Sequence, residues 1–190
     1  MKNDRVDRRV RRTKAQLVSA LTTLLAQKEL KDISVIELTR LADVNRGTFY
    51  LHYRDTYDLF AQLEGELLDS FLSIIDRYRG QAPVSWRSVM QELFTYIEGN
   101  APALQAVLGA KESTFLSRTI ELVKPTSETE WRKVFGGGNA QSYEYCYAFM
   151  TSGCVALVGG WLRGGRRESA QQMAALAERL MSACTREVSP

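Results

Sequence analysis

The stretch SVIELTRLADVNRGTFYLHYRD, residues 34–55, leaves the chain few folds to choose from. Ser34 followed three residues later by Glu37 is a capping box, in which the serine oxygen accepts a first-turn N–H and the glutamate reaches back. Ile33 before the cap and Leu38 in the fifth helical slot pair as a hydrophobic staple. Val35, Leu38, Leu41 and Ala42 then recur as one helix face. Asp43 is a poor helix-interior residue that tolerates left-handed dihedrals, so it is predicted to end the helix. Asn45 caps a second helix after a turn of about three or four residues, the spacing of a helix-turn-helix. In this second helix, residues 46 to about 53, Phe49 and Tyr53 supply the inward face. Arg46, Gly47, Thr48, Tyr50 and Leu51 point away from it. Glycine in a short helix costs about 1 kcal/mol relative to alanine, so packing alone does not favour Gly47. It does permit close approach of the helix to a phosphate backbone or a base edge.

Charge supports a nucleic-acid partner through its placement. The formal net charge is only +3. Residues 1–14 hold Lys2, Arg5, Arg8, Arg9, Arg11, Arg12 and Lys14 against Asp4 and Asp7, a local +5, while residues 15–60 and 61–190 each carry −1. Residues 1–12 are expected to form a disordered basic arm that tracks phosphates or enters the minor groove; the alternative is a solvated tail. Residues 13 to about 27 follow as a helix, with Leu17, Leu21, Leu24 and Leu25 on one stripe. Thr13 is its expected cap, and its N-terminus with Lys14 a phosphate seat.

The motif NRGTFYLHYRD is similar to the recognition-helix signature of the TetR family of transcriptional regulators, commonly S-x-G-T-x-Y-x-H-F followed by a basic residue. The resemblance extends over about residues 13–60. It implies an all-α fold, with an N-terminal three-helix DNA-binding domain containing the helix-turn-helix and then a helical ligand-binding and dimerisation bundle. It further implies a homodimer on a pseudo-palindromic double-stranded operator, a repressor released by a small-molecule effector. The DNA-binding candidates are Thr13, Lys14, Ser34, Asn45, Arg46, Gly47, Thr48, Tyr50, Leu51, His52 and Arg54. Among them the resemblance puts Thr13, Tyr50 and His52 on phosphates, whereas Asn45, Arg46, Thr48 and Leu51 face the groove. The chain departs from the family at Ile36, Thr39, Asp43 and Thr56. Thr56 stands where many members place a phosphate-binding lysine, which Arg54 could replace. The expected division is arm 1–12, reader 13–54, and regulatory and dimerisation domain 55–190.

The rest of the chain reads as helices. Asp55 caps a long one, residues 56–79, with Leu59, Phe60, Leu63, Leu67, Phe71, Ile74 and Ile75 at helical spacing. Gly80, Ala82 and Pro83 break it. Ser85 opens a helix to about Gly99, Pro102 sits early in a short one ending near Leu108, and Ser113 opens another to about Lys124. Pro125 and the glycines at 136–138 bracket an irregular, mobile segment around Trp131. Residues 141–162 form a helix apolar on nearly all sides, and Ser169 with Gln172 is a second capping box opening residues 170–184. The stretch FTYIEGNAPALQAVLGAKESTF is similar to a TetR subgroup that includes regulators of dihydroxyacetone kinase operons.

Gly153, Ala156 and Gly160 form a small-residue stripe that lets two helices approach closely. With Phe149, Met173, Leu176 and Leu180 they are the candidate dimer interface, the alternative being burial within one domain. Trp86, Phe94, Phe115, Trp131, Tyr143 and Tyr147 are candidates for the effector pocket that the resemblance implies, although an aromatic set at helical spacing is more often plain core.

Enzyme classes find no support. His52 is the single histidine, the three cysteines lack metal-ligand spacing, and residues 136–138 are not followed by Lys-Ser/Thr as in a P-loop. No metal or cofactor is expected. The basic start lacks an apolar h-region, and the apolar run 155–162 is too short for a membrane span, so a cytoplasmic, nucleoid-associated protein with reduced thiols is expected. A helical adaptor of the same fold, acting through a protein partner, is the alternative function.

Overall fold

The computed structural model describes the backbone of residues 2–78, 86–134 and 140–188, and the side chains of residues 8–78, 86–124 and 144–184. Among these residues there are nine α-helices and no strand: α1 Lys2–Leu25, α2 Val35–Leu41, α3 Arg46–Tyr50, α4 Thr56–Tyr78, α5 Trp86–Gly99, α6 Ala101–Gly109, α7 Phe115–Val134, α8 Ala140–Arg163 and α9 Ala170–Val188. They form two compact units. One comprises Met1–Leu67 with Pro102–Ser113, and the other Leu68–Ala101 with Thr114–Pro190.

In the first unit Leu17, Leu21, Leu30, Leu38, Phe49 and Leu59 are fully buried. The stripe expected on α1 is therefore its packing face. The helix itself starts far earlier than expected. It begins at Lys2, so the basic stretch 2–12 forms its first three turns instead of a disordered arm. Arginine and lysine are good helix formers, and nothing between Lys2 and Thr13 is glycine or proline to stop propagation from the packed turns that follow. Thr13 accordingly sits inside α1, half-buried, and there is no helix N-terminus at that point to seat a phosphate.

Residues 102–113 belong with this unit although they are distant in sequence. The Ser113 hydroxyl donates to the buried Glu64 carboxylate of α4 at 2.8 Å. Lys111 pairs with Glu29, which also binds Lys31 at 2.9 Å. These two hydrogen-bonded ammonium groups, Lys111 first, hold the Glu29 carboxyl down to about 2.

In the second unit α5 packs along α9, and the Arg87 Nε donates to Glu178 at 3.0 Å between them. Val89, Met90, Leu93, Phe94 and Ile97 form the buried side of α5. The second capping box is complete: the Gln172 side chain accepts the Ser169 N–H at 2.8 Å, and the Ser169 hydroxyl oxygen accepts the Gln172 N–H at 3.2 Å. Between Pro125 and Val134 the expected irregular segment is helical, because α7 runs straight through the proline. Proline removes one ladder hydrogen bond without forbidding helical dihedrals. Its start is one residue late as well, since Thr114 takes the capping position and Ser113 is engaged by Glu64. The glycines at 136–138 and the Ser85 cap lie outside the described residues.

The uninterrupted apolar run 155–162 is part of a longer apolar helix. By length and composition Glu144–Arg163 is apolar enough to cross a membrane, and most of it is exposed or half-exposed within the chain. Within the single chain Tyr145 and Phe149 of α8 are about two-thirds uncovered, so the alternative of burying this helix inside one domain is not what the chain does at these residues.

Candidate nucleic-acid interface

The turn between α2 and α3 is fixed by local chemistry. Asp43 takes φ 52°, the left-handed conformation its short polar side chain tolerates. The Asp43 N–H reaches the Arg40 carbonyl and the Val44 N–H reaches the Thr39 carbonyl at 3.0 Å, closing the α2 C-terminus as a Schellman motif. Thr39 is buried and satisfies its hydroxyl on the Val35 carbonyl at 2.7 Å. The N-terminal box is only half formed. The Ser34 oxygen accepts the Glu37 N–H at 3.2 Å, but the Glu37 carboxylate pairs with Lys28 at 2.6 Å instead of reaching back. A charge-assisted bond outcompetes a neutral backbone donor. Ile33 and Leu38 are both buried as the staple requires, whereas Leu41 is half-exposed and Thr39 takes its place on the packing face.

The reading helix α3 is short. It ends at Tyr50, with Leu51 as its C-cap, three residues before the expected end at Tyr53. Beyond it the His52 and Tyr53 N–H groups both bond the Phe49 carbonyl, which tightens the chain into a turn. Phe49 and Tyr53 are buried, as their four-residue spacing requires, with ring centroids 5.6 Å apart. On the opposite side Arg46, Gly47, Tyr50 and Leu51 are exposed and Thr48 is half-exposed.

Two side chains have duties that spacing could not disclose. Asn45 Oδ1 accepts the Gly47 N–H at 2.7 Å, so the cap fixes the orientation of its amide. An added Cβ at Gly47 would lie 3.2 Å from that oxygen. The glycine therefore clears space for the cap as well as leaving bare backbone outside. Tyr53 carries the Lys14 ammonium over its ring, 5.9 Å from the centroid, which brings α1 to the end of the reading helix. Burial first, then the carboxylates of Glu66 and Asp58, pushes the Tyr53 phenol up to about 12.

His52 is half-buried beside Tyr53, with rings 6.2 Å apart. Arg54 is largely exposed and is steered by Asp58, whose carboxylate accepts its N–H at 2.9 Å and lies 3.5 Å from its guanidinium. Those bonds, the backbone one first, hold the Asp58 carboxyl low. Thr56 is buried at the start of α4, whereas the Arg54 guanidinium is exposed. The cap of α4 is Asp55, whose Oδ1 accepts the Asp58 N–H at 2.8 Å.

The effector candidates of the second unit are held by separate contacts. Phe94 meets Trp161 edge-on at 5.5 Å, Phe115 meets Phe71 at 6.4 Å, and Tyr147 donates to the Ile120 carbonyl at 2.8 Å. Trp86 is half-buried; the side chains of Trp131 and Tyr143 lie outside the described residues. Of the interface candidates, Phe149, Gly153, Ala156 and Gly160 are exposed along α8, and Leu180 is exposed on α9. Leu176 is half-buried, and Met173 is in the core of its own unit. Cys146 and Cys184 pack on Met150, and all three cysteines are free thiols.

Comparison with known proteins agrees with this arrangement. Residues 85–183 match a TetR family model described as the transcriptional regulator C-terminal region. The HTH-type transcriptional regulator AcrR of Shigella flexneri is 27% identical over 86 residues, 45% of this chain, and the chain spans only about two-fifths (40%) of that relative's length. Among solved structures, the dihydroxyacetone kinase operon activator DhaS shares the fold with a TM-score of 0.63 at 14% identity, over 94% of this chain and 98% of that one. The fatty acid degradation regulator FadR from Bacillus halodurans gives 0.65 at 14%, over 89% and 94%. A TetR transcriptional regulator from Streptococcus agalactiae 2603V gives 0.60 at 18%, over 92% and 96%. The family model covers more than half of the chain, and these likenesses fit the all-α architecture built around the Asn45-capped helix: this chain belongs to the TetR family of transcriptional regulators, which are not enzymes.

Proposed function

We propose that the protein is a homodimeric repressor that binds a pseudo-palindromic double-stranded operator through α3 and leaves it when a small-molecule effector occupies the second unit. In functional terms residues 13–54 read DNA and residues 55–190 regulate and dimerise. The observation that carries the proposal is the division of residues 46–53 into a buried side, Phe49 with Tyr53, and an outward side bearing exposed Arg46, Tyr50 and Leu51 with half-exposed Thr48. A five-residue helix is too short to stand by propensity, so the fold spends its packing on holding this short segment outward. For dimerisation the support is the exposed stripe of Phe149, Gly153, Ala156 and Gly160 on an apolar helix, continued by Leu180. A twofold protein matches two half-sites. The effector is assigned to the second unit, where Trp86, Phe94, Phe115 and Tyr147 concentrate aromatic mass.

Two variants test the reading. Arg46→Ala removes a guanidinium suited to a guanine edge, worth about 1–3 kcal/mol of discrimination, and should relax preference at one or two base positions. Tyr50→Phe removes a phosphate-directed hydroxyl and should weaken all sequences alike. Uniform loss for both variants across a randomised duplex library would show that the roles are misassigned.

The first turns of α1 give a further expected result. Deleting residues 1–12 removes six basic and two acidic groups per subunit. Each phosphate neutralised contributes about −0.9 to the slope of log affinity against log salt. If two or three of these cations meet DNA in each subunit, the dimer should lose roughly four or five units of slope by the same rule. Parallel lines for full-length and truncated protein would mean that these turns never meet DNA.

A further inference from the structure

Leu51 is 79% exposed, the most uncovered of the large apolar side chains described. It is the C-cap of α3 with helical dihedrals, φ −72° and ψ −19°, so the helix geometry still applies to it. Gly47 precedes it by four residues and Thr48 by three, which puts all three on one face. That facet consists of bare backbone, a threonine methyl beside its hydroxyl, and a leucine side chain. A phosphate or a polar base edge pressed against the leucine would lose water without gaining a partner. B-DNA displays one apolar group in its major groove, the C5 methyl of thymine. Asn45 does not turn the same face into an adenine reader. Its Oδ1 accepts the Gly47 N–H at 2.7 Å, which holds the amide against the start of the helix and away from the pose that a bidentate grip on adenine needs.

We infer, resting on the DNA-reading role proposed above, that the facet of Gly47, Thr48 and Leu51 reads a thymine methyl in each half-site, with Leu51 the specificity-determining residue. Arg46, five residues earlier, lies on a different side of the helix and is left to a guanine. Recognition of each half-site thus combines one charge-assisted contact with one purely apolar contact, and the apolar one is insensitive to salt.

The test uses the full chain and duplexes it selects from a random-sequence library. Each thymine of a selected duplex is replaced singly by uracil, which deletes the methyl and leaves pairing unchanged. In each half-site one replacement should weaken binding about fourfold, the effect of burying one methyl-sized group. Leu51→Ala should bind the thymine and uracil duplexes equally, keep its guanine preference, and melt at the same temperature because Leu51 packs against little. Wild-type binding indifferent to every replacement overturns the inference, as does a Leu51→Ala variant that still distinguishes thymine from uracil. Selection of no duplex at all removes the DNA-reading role, and this inference with it, an outcome separate from binding that is blind to the methyl.

Discussion

Phe49→Ala should destabilise the first unit by about 3–5 kcal/mol, the range for truncating a fully buried phenylalanine. Phe49 has no exposed surface, and its ring lies 5.4 Å from Tyr50 and 5.6 Å from Tyr53. Its carbonyl also accepts the N–H groups of His52 and Tyr53, so a collapse around the cavity moves the residues placed on DNA. DNA binding should be lost together with stability. Tyr50→Ala, whose side chain is half outside, should cost less than about 1 kcal/mol of stability, as surface changes do, while still weakening DNA binding. Because the two units need not unfold together, the clean measurement is amide hydrogen exchange over residues 35–60. Equal protection losses for both variants would contradict the division of α3 into a packed and a reading side.

Phe149→Asp should break the proposed dimer. Phe149 is 68% exposed, so the aspartate is readily solvated in the isolated chain and the fold should persist. In a closed twofold interface the same carboxylate would be buried without a partner, opposite its own symmetry copy. An uncompensated buried charge costs about 3–5 kcal/mol, which raises the dimer dissociation constant by more than about 100-fold. Sedimentation at micromolar concentration should then show monomers, and affinity for a two-half-site duplex should fall towards that of one half-site. An unchanged sedimentation profile would move the interface elsewhere on the chain. Partition of the wild-type protein onto lipid vesicles would instead assign the uncovered α8 face to a membrane surface.

The helix-turn-helix was legible because its signals are local. Asp43 must adopt the left-handed conformation to close α2, and few residues other than glycine do so cheaply. Asn45 and Ser169 declare helix starts by side chains that bond within three residues. What was not legible depended on partners far away in sequence or on the energetics of continuation. Glu37 had two possible partners, and the cation of Lys28 won over a backbone donor. Residues 2–12 carried the composition of a tail, yet they adjoin a packed helix that only needs to be extended. Pro125 was weighted as a stop although the helix accommodates it. The aromatic residues of the second unit illustrate the limit most plainly. Helical spacing says that Phe94, Phe115 and Tyr147 face inward, and it cannot say that they meet Trp161, Phe71 and the Ile120 carbonyl.

The attachment of residues 102–113 to the first unit bears on how the nascent chain acquires its shape. A polypeptide emerging from the ribosome presents α1 to α4 long before Lys111 and Ser113 exist outside the exit tunnel. Until they arrive, Glu29 lacks the stronger of its two cations and Glu64 faces its site without the Ser113 hydroxyl. Domains usually complete themselves in the order of synthesis, but the last contacts of this unit form only after residue 113 of 190 has been made. The same wiring governs recombination: a graft cut near residue 54 and fused to a foreign partner would leave the hydroxyl and the ammonium behind. A chimera that keeps its reader intact has to carry the distant dozen residues along with it.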